Sequence, residues 1–103
     1  MTQTELYQVL QRSGIPFAYH HWEKPPPLPW GVYLVNYEDK FYADGMLYYH
    51  IAGYSVELYT NKKDPVAERK IDDVLEQAGI SYAKSGSYIN GQKVYQTLYE
   101  FEV

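Results

Sequence analysis

Apolar residues recur along this chain with two periods, and the switches between them mark out its elements. Leu6, Val9 and Leu10 make one helical stripe. Thr2-x-x-Glu5 ahead of it has the form of a capping box, and Gly14 closes the helix. Ile71, Val74, Leu75 and Ala78 make a second stripe. Asp64 stands at its N-cap, and Pro65 takes the first helical position, where a missing N–H costs nothing. Gly79 ends it.

Elsewhere the period is two. Ile15 to Trp22 reads as an extended segment, with Pro16 placing it at an edge or at the start of a strand. Glu23 to Pro29 is a stiff loop holding Pro25, Pro26, Pro27 and Pro29, either a plain connector or an arm that touches a neighbour. Trp30 to Tyr37 is a strand with Val32, Leu34 and Asn36 on one face and Tyr33, Val35 and Tyr37 on the other. Both faces are largely apolar, which predicts a central strand or one covered on both sides. Glu38-Asp39-Lys40 turns or widens its end, and Phe41-Tyr42-Ala43 forms a short strand. Asp44-Gly45 is a hairpin signal, and Met46 to Thr60 returns as one long strand. Leu47, Tyr49 and Ile51 lie one phase away from Val56 and Leu58, so a bulge or sharp bend is expected at Ala52-Gly53. Asn61-Lys62-Lys63 then turns the chain into the second helix. Ser81 to Ile89 and Gln92 to Val103 form the last two strands, joined at Asn90-Gly91, which predicts a two-residue type I′ turn. Tyr95, Thr97, Tyr99, Phe101 and Val103 share one face of the final strand.

The two halves echo one another. Leu6, Val9, Leu10, Gly14, Ile15, Phe17 and Ala18 align with Ile71, Val74, Leu75, Gly79, Ile80, Tyr82 and Ala83 at one constant offset. The expectation is a single α+β domain over residues 1–103 in the order α-β-β-β-α-β-β. Both helices pack on one face of a mainly antiparallel sheet, and the hairpin of residues 37–60 exceeds what the core needs and projects.

The chain has 103 residues, enough for one core without metal or cross-links. It has no cysteine, so disulfides and thiolate metal sites are excluded. The start has no basic region followed by an apolar run, so no signal peptide is expected, and no run of about twenty apolar residues predicts a membrane span. A net charge of −4 argues against nucleic acid or an anionic membrane as the main partner. Tyrosine is in surplus, 13 residues against 3 Phe and 2 Trp, which suits half-buried sheet faces and protein interfaces alike. His20 and His21 are strand neighbours that point to opposite faces and so do not chelate one ion, and His50 stands alone; no metal site is expected. The acidic pairs Glu38-Asp39 and Asp72-Asp73 read as solvated surface. No nucleophile elbow or phosphate loop is present. No catalytic or cofactor-binding residue, and so no enzyme, is expected.

Tyr54 to Pro65, with Gly79-Ile80-Ser81-Tyr82 and the ending Leu98-Tyr99-Glu100-Phe101-Glu102-Val103, resembles a family of small prophage proteins of the head–tail joining region of Gram-positive siphophages. Phe41-Tyr42-Ala43-Asp44 belongs to the same pattern, whereas the Pro25-Pro26-Pro27 run is not part of it. The family is similar in plan to tail-terminator, or tail-completion, proteins. The resemblance implies a virion protein of the tail or neck, present in the host cytoplasm during assembly. It implies a homo-oligomeric ring, typically a hexamer, formed from a chain that can be monomeric in isolation. Such a ring caps the tail tube, meeting the major tail protein on one side and the head-completion or connector protein on the other. DNA passes through without sequence-specific contact. Tyr42, Tyr49, Tyr59, Pro26 and Trp30 are the expected interface residues. The alternatives are a neck adaptor and a small-ligand or peptide-binding module using the tyrosine-rich sheet face.

Overall fold

The structure is a computed structural model describing the backbone throughout and every side chain except that of Tyr48. The elements run α1 (Gln3–Gln11), β1 (Phe17–Tyr19), β2 (Trp30–Ala43), β3 (Met46–Thr60), α2 (Pro65–Gln77), β4 (Ala83–Ile89) and β5 (Val94–Glu102). The strands form one sheet in the order β1-β2-β3-β5-β4. Its pairs are antiparallel except for β1 and β2, which run parallel. This is the expected α+β architecture.

The helix ends follow their sequence signals. The Thr2 hydroxyl accepts from the Glu5 N–H at 3.1 Å, and the Glu5 carboxylate accepts from the Thr2 N–H at 2.9 Å. The Asp64 carboxylate accepts from the Ala67 N–H at 3.1 Å. Gly14 and Gly79 both end their helices in the left-handed region, at φ +79° and +75°. Each is followed by a buried isoleucine, Ile15 or Ile80.

The sheet register explains the core. Tyr33, Val56 and Tyr99 lie side by side on adjacent strands, as do Val35, Tyr54 and Phe101. Leu6, Val9 and Leu10 of α1 and Ile71, Val74 and Leu75 of α2 join this face in one cluster. Both helices therefore cover the same side. The internal echo holds through each helix and its Gly-Ile step, then breaks. β4 and β5 form an antiparallel hairpin, whereas the proline-rich segment 20–29 carries the chain across so that β2 enters parallel to β1.

Four local expectations need correction. First, the irregularity expected at Ala52-Gly53 sits on the facing strand. Val35 pairs with Tyr54 and Tyr37 with Gly53, leaving Asn36 as the bulged residue. The bulge moves Tyr37 to the helix-free face, where its ring lies over Gly53 and its hydroxyl donates to Glu102 at 2.5 Å. Ala52, Tyr54, Val56 and Leu58 alternate regularly into the core, and Leu47 and Tyr49 stay exposed. Second, Glu38-Asp39-Lys40 does not break the strand but pairs with Ala52, Ile51 and His50 in one continuous ladder. A ribbon wet on both faces tolerates such a polar run.

Third, Asn90-Gly91 is not a two-residue turn. Ile89 pairs with Val94, and the positive φ falls on Lys93. A two-residue turn would set Tyr82 opposite Tyr99. The observed register sets Lys84 there instead, and its ammonium reaches Glu68 at 3.1 Å and Asp72 at 3.0 Å. Fourth, Asp72 is not solvated surface: it accepts from the Tyr99 hydroxyl at 2.8 Å as well as from Lys84. By contrast, Asp44-Gly45 turns as expected, both residues having positive φ, 53° and 76°.

Candidate functional site

Beyond the Tyr37–Gly53 pair, β2 and β3 leave the body as a two-stranded ribbon. β5 stops pairing at the Ala52–Val103 hydrogen bonds, and β1 pairs only with Gly31, Val32 and Tyr33. The chain extends over 52 × 27 × 22 Å, with a radius of gyration of 14.9 Å. A compact chain of this length would have about 13 Å. The hairpin expected to project does so over Tyr37–Ala43 and Met46–Ile51, while residues 53–60 of β3 form the centre of the sheet.

The ribbon turns apolar groups to solvent. Tyr37, Phe41, Tyr42, Met46, Leu47 and Tyr49 are all exposed, Met46 to 71%. Phe41 and Tyr49 face each other across the strands, ring centroids 5.5 Å apart and nearly parallel. At the tip, Ala43, Asp44, Met46 and Leu47 line a hollow of about 380 Å³.

Of the expected interface residues, Tyr42 and Tyr49 lie on this ribbon. Trp30 and Tyr59 lie elsewhere, together, on the helix-free face of the sheet base, ring centroids 4.7 Å apart. Pro26 is half-buried in the loop between β1 and β2. The set thus divides between two regions. Tyr59 is the more anchored: its hydroxyl donates to Glu57 at 2.7 Å and accepts from the Gln96 amide at 2.9 Å. Burial, then the Glu57 carboxylate, pushes its phenol up to about 12.

The second open surface is the β4 edge. All of β4 but Ile89 is exposed, and among the described residues no strand pairs with its outer side. Natural edges are usually blunted by charge or proline. β4 holds no proline and one charge, Lys84, whose head is drawn inward to Glu68 and Asp72.

One set of titratable groups converges between α2 and the sheet. The Glu68 carboxylate is 4% exposed and held by Lys63 at 2.7 Å and Lys84 at 3.1 Å. The Tyr99 hydroxyl donates to the Glu68 carbonyl and the Asp72 carboxylate. Burial, then the bond to Asp72, raises the Tyr99 phenol far above its ordinary range. These groups satisfy one another between α2 and the sheet. Glu68 was findable in the sequence, since it falls one helical step before Ile71 and Leu75 on the apolar stripe. Among the described residues no three His, Cys, Asp or Glu side chains gather as a metal site, and no helix is long and apolar enough to cross a membrane.

No protein-family model matches this chain, and no curated protein matches it.

Proposed function

We propose that this chain is a structural protein of the phage head–tail joint. It would cap the tail tube as a homo-oligomeric ring and meet the head connector, without catalysis. One observation carries the assembly part: a ribbon with outward apolar side chains stands clear of the body. A two-stranded hairpin alone in water is marginal, and exposed Phe41, Tyr42, Met46, Leu47 and Tyr49 are groups that protein interfaces favour. The likeness to tail-terminator proteins supports the virion setting.

The β4 edge supplies a fitting counterpart. Its seven residues span about 23 Å, and Met46–Ile51 span about 20 Å at the usual strand rise. The ribbon of one copy lying along the β4 edge of the next is a head-to-tail contact. Such a contact closes into a ring when its rotation permits.

Native mass spectrometry across a concentration series, with and without tail-tube protein, tests this. The expected result is a ring-sized oligomer, formed at high concentration or on the tube end. Leu47→Asp with Met46→Ser, both at exposed side chains, should abolish it while leaving the monomer's stability within about 0.5 kcal/mol of wild type. A strictly monomeric protein that also ignores the tube end would overturn the reading.

A further inference from the structure

His20 and His21 do not stand on opposite faces of a strand. β1 ends at Tyr19, and His20 takes φ +69°, a left-handed conformation rare for a residue other than glycine. Its N–H donates to the Tyr33 carbonyl at 2.9 Å, and the next N–H, that of His21, donates back to the Tyr19 carbonyl at 2.8 Å. That bond, spanning two residues around a positive φ, is the uncommon, strained form of the γ-turn. Strain of this kind gathers at sites with a task. Here it brings two successive side chains to the same side. The two Nδ1 atoms are 3.2 Å apart, with the rings nearly perpendicular at 87°.

We propose that His20 and His21 form a two-imidazole chelate for a late first-row divalent ion such as Zn²⁺, Ni²⁺ or Cu²⁺. Metal–nitrogen bonds of about 2.05 Å put two ligand nitrogens about 3.3 Å apart at a tetrahedral angle and about 2.9 Å apart at a right angle. The observed separation falls between those limits. Without metal, an Nδ1–H of one ring can bridge the gap to the other's lone pair; to bind the ion that ring shifts its proton to Nε2, leaving both Nδ1 lone pairs for the metal. A tilt of about 35° in each ring brings the lone pairs from the N–N line on to a tetrahedral ion, and both side chains are exposed and free to make it. Imidazole pairs select zinc, nickel and copper over calcium and magnesium. Among the described residues no third His, Cys, Asp or Glu joins the pair, so water fills the remaining positions. The pair opens on to a hollow of about 280 Å³ that Trp22, Trp30 and Glu57 also line.

Trp22 and Trp30 are the chain's two tryptophans, so the site carries its own reporter. Titration with Ni²⁺ should quench their fluorescence saturably at one ion per chain. His20→Ala and His21→Ala should each weaken binding about tenfold or more, because the second imidazole acts as an intramolecular ligand. His50→Ala, on the ribbon, should change nothing, and Mg²⁺ should not compete. With Zn²⁺, nitrogen NMR should shift both Nδ1 resonances together. Wild-type affinity in either single variant, or equal affinity in the double variant, would overturn the proposal. The result is independent of oligomeric state, so it stands or falls apart from the assembly reading.

Discussion

Two glycines in the sheet leave almost identical room for a side chain, yet their substitution should have very different effects. A Cβ on Gly31 would lie 2.2 Å from the Phe17 ring and 2.7 Å from the Glu57 carbonyl oxygen. A Cβ on Gly53 would lie 2.3 Å from the Tyr37 ring. The difference lies in what can yield. Phe17 is 4% exposed and wedged in the core, and the Glu57 carbonyl belongs to the central strand. Tyr37 is 45% exposed and can swing away at the loss of one hydrogen bond to Glu102. Overpacking a core typically costs 1–3 kcal/mol, and replacing a strand glycine by alanine returns about 0.5–1 kcal/mol of backbone entropy. Because the Glu57 carbonyl cannot yield, Gly31→Ala sits at the upper end of that range, and about 3 kcal/mol less the entropy gain leaves a net loss of about 2 kcal/mol. In Gly53→Ala the entropy gain and the lost hydrogen bond nearly cancel, leaving a change within about 0.5 kcal/mol.

For a chain of this size, about 2 kcal/mol lowers Tm by roughly 8–16 °C. Thermal melts followed by circular dichroism would read this directly. Adding Phe17→Leu to Gly31→Ala should recover part of the loss, since it clears the ring but not the carbonyl. The double-mutant cycle should show coupling of about 0.5 kcal/mol or more. Equal Tm shifts for the two glycine variants would refute the reasoning, because they would mean the rigidity of the neighbours is irrelevant.

Two other outcomes follow from the buried polar groups. Burial is the first cause that raises the phenols of Tyr33, Tyr54, Tyr59, Tyr82 and Tyr99. Above the ordinary phenol value of about 10 the folded chain then holds more protons than the unfolded one, so stability is full below about pH 10 and falls as pH climbs toward the folded values. Melts across this range, with phenolate absorbance recorded, should show late-titrating tyrosines ionising together with unfolding; stability flat through pH 11 would contradict the assignment. Lys84→Met removes one of two cations from Glu68 and the ammonium bound to Asp72, while Lys63 stays in place. It should destabilise by about 2 kcal/mol, less than the full loss of a buried pair, and a denaturant midpoint unchanged from wild type would remove the network from the stability account.

Much of the architecture was legible because its causes are local. A capping box, an N-cap aspartate before proline and two left-handed glycines define both helices within a few residues of chain. The stripes Leu6-Val9-Leu10 and Ile71-Val74-Leu75 say which side they bury. The Asp44-Gly45 turn likewise needs nothing beyond its own backbone preferences. The ribbon's projection was also foreseeable, since the hairpin is longer than the strands available to flank it.

What the tertiary structure decided are choices among locally allowed alternatives. Asn90-Gly91 favours a tight turn, but the register that lets Lys84 reach Glu68 and Asp72 requires a longer loop. Alternation puts Tyr37 on the face of Tyr33 and Val35, until the Asn36 bulge turns it over Gly53. His20 and His21 look opposed, until the chain leaves β1 at Tyr19, three residues short of Trp22, and a positive φ aligns them. Local preferences of this kind are worth about a kilocalorie or less each, whereas leaving a buried carboxylate such as that of Glu68 without its partner costs about 3–5 kcal/mol. Period and caps therefore name the elements of this chain, and the packing of side chains far apart in sequence settles their register and the exposed groups they bring together.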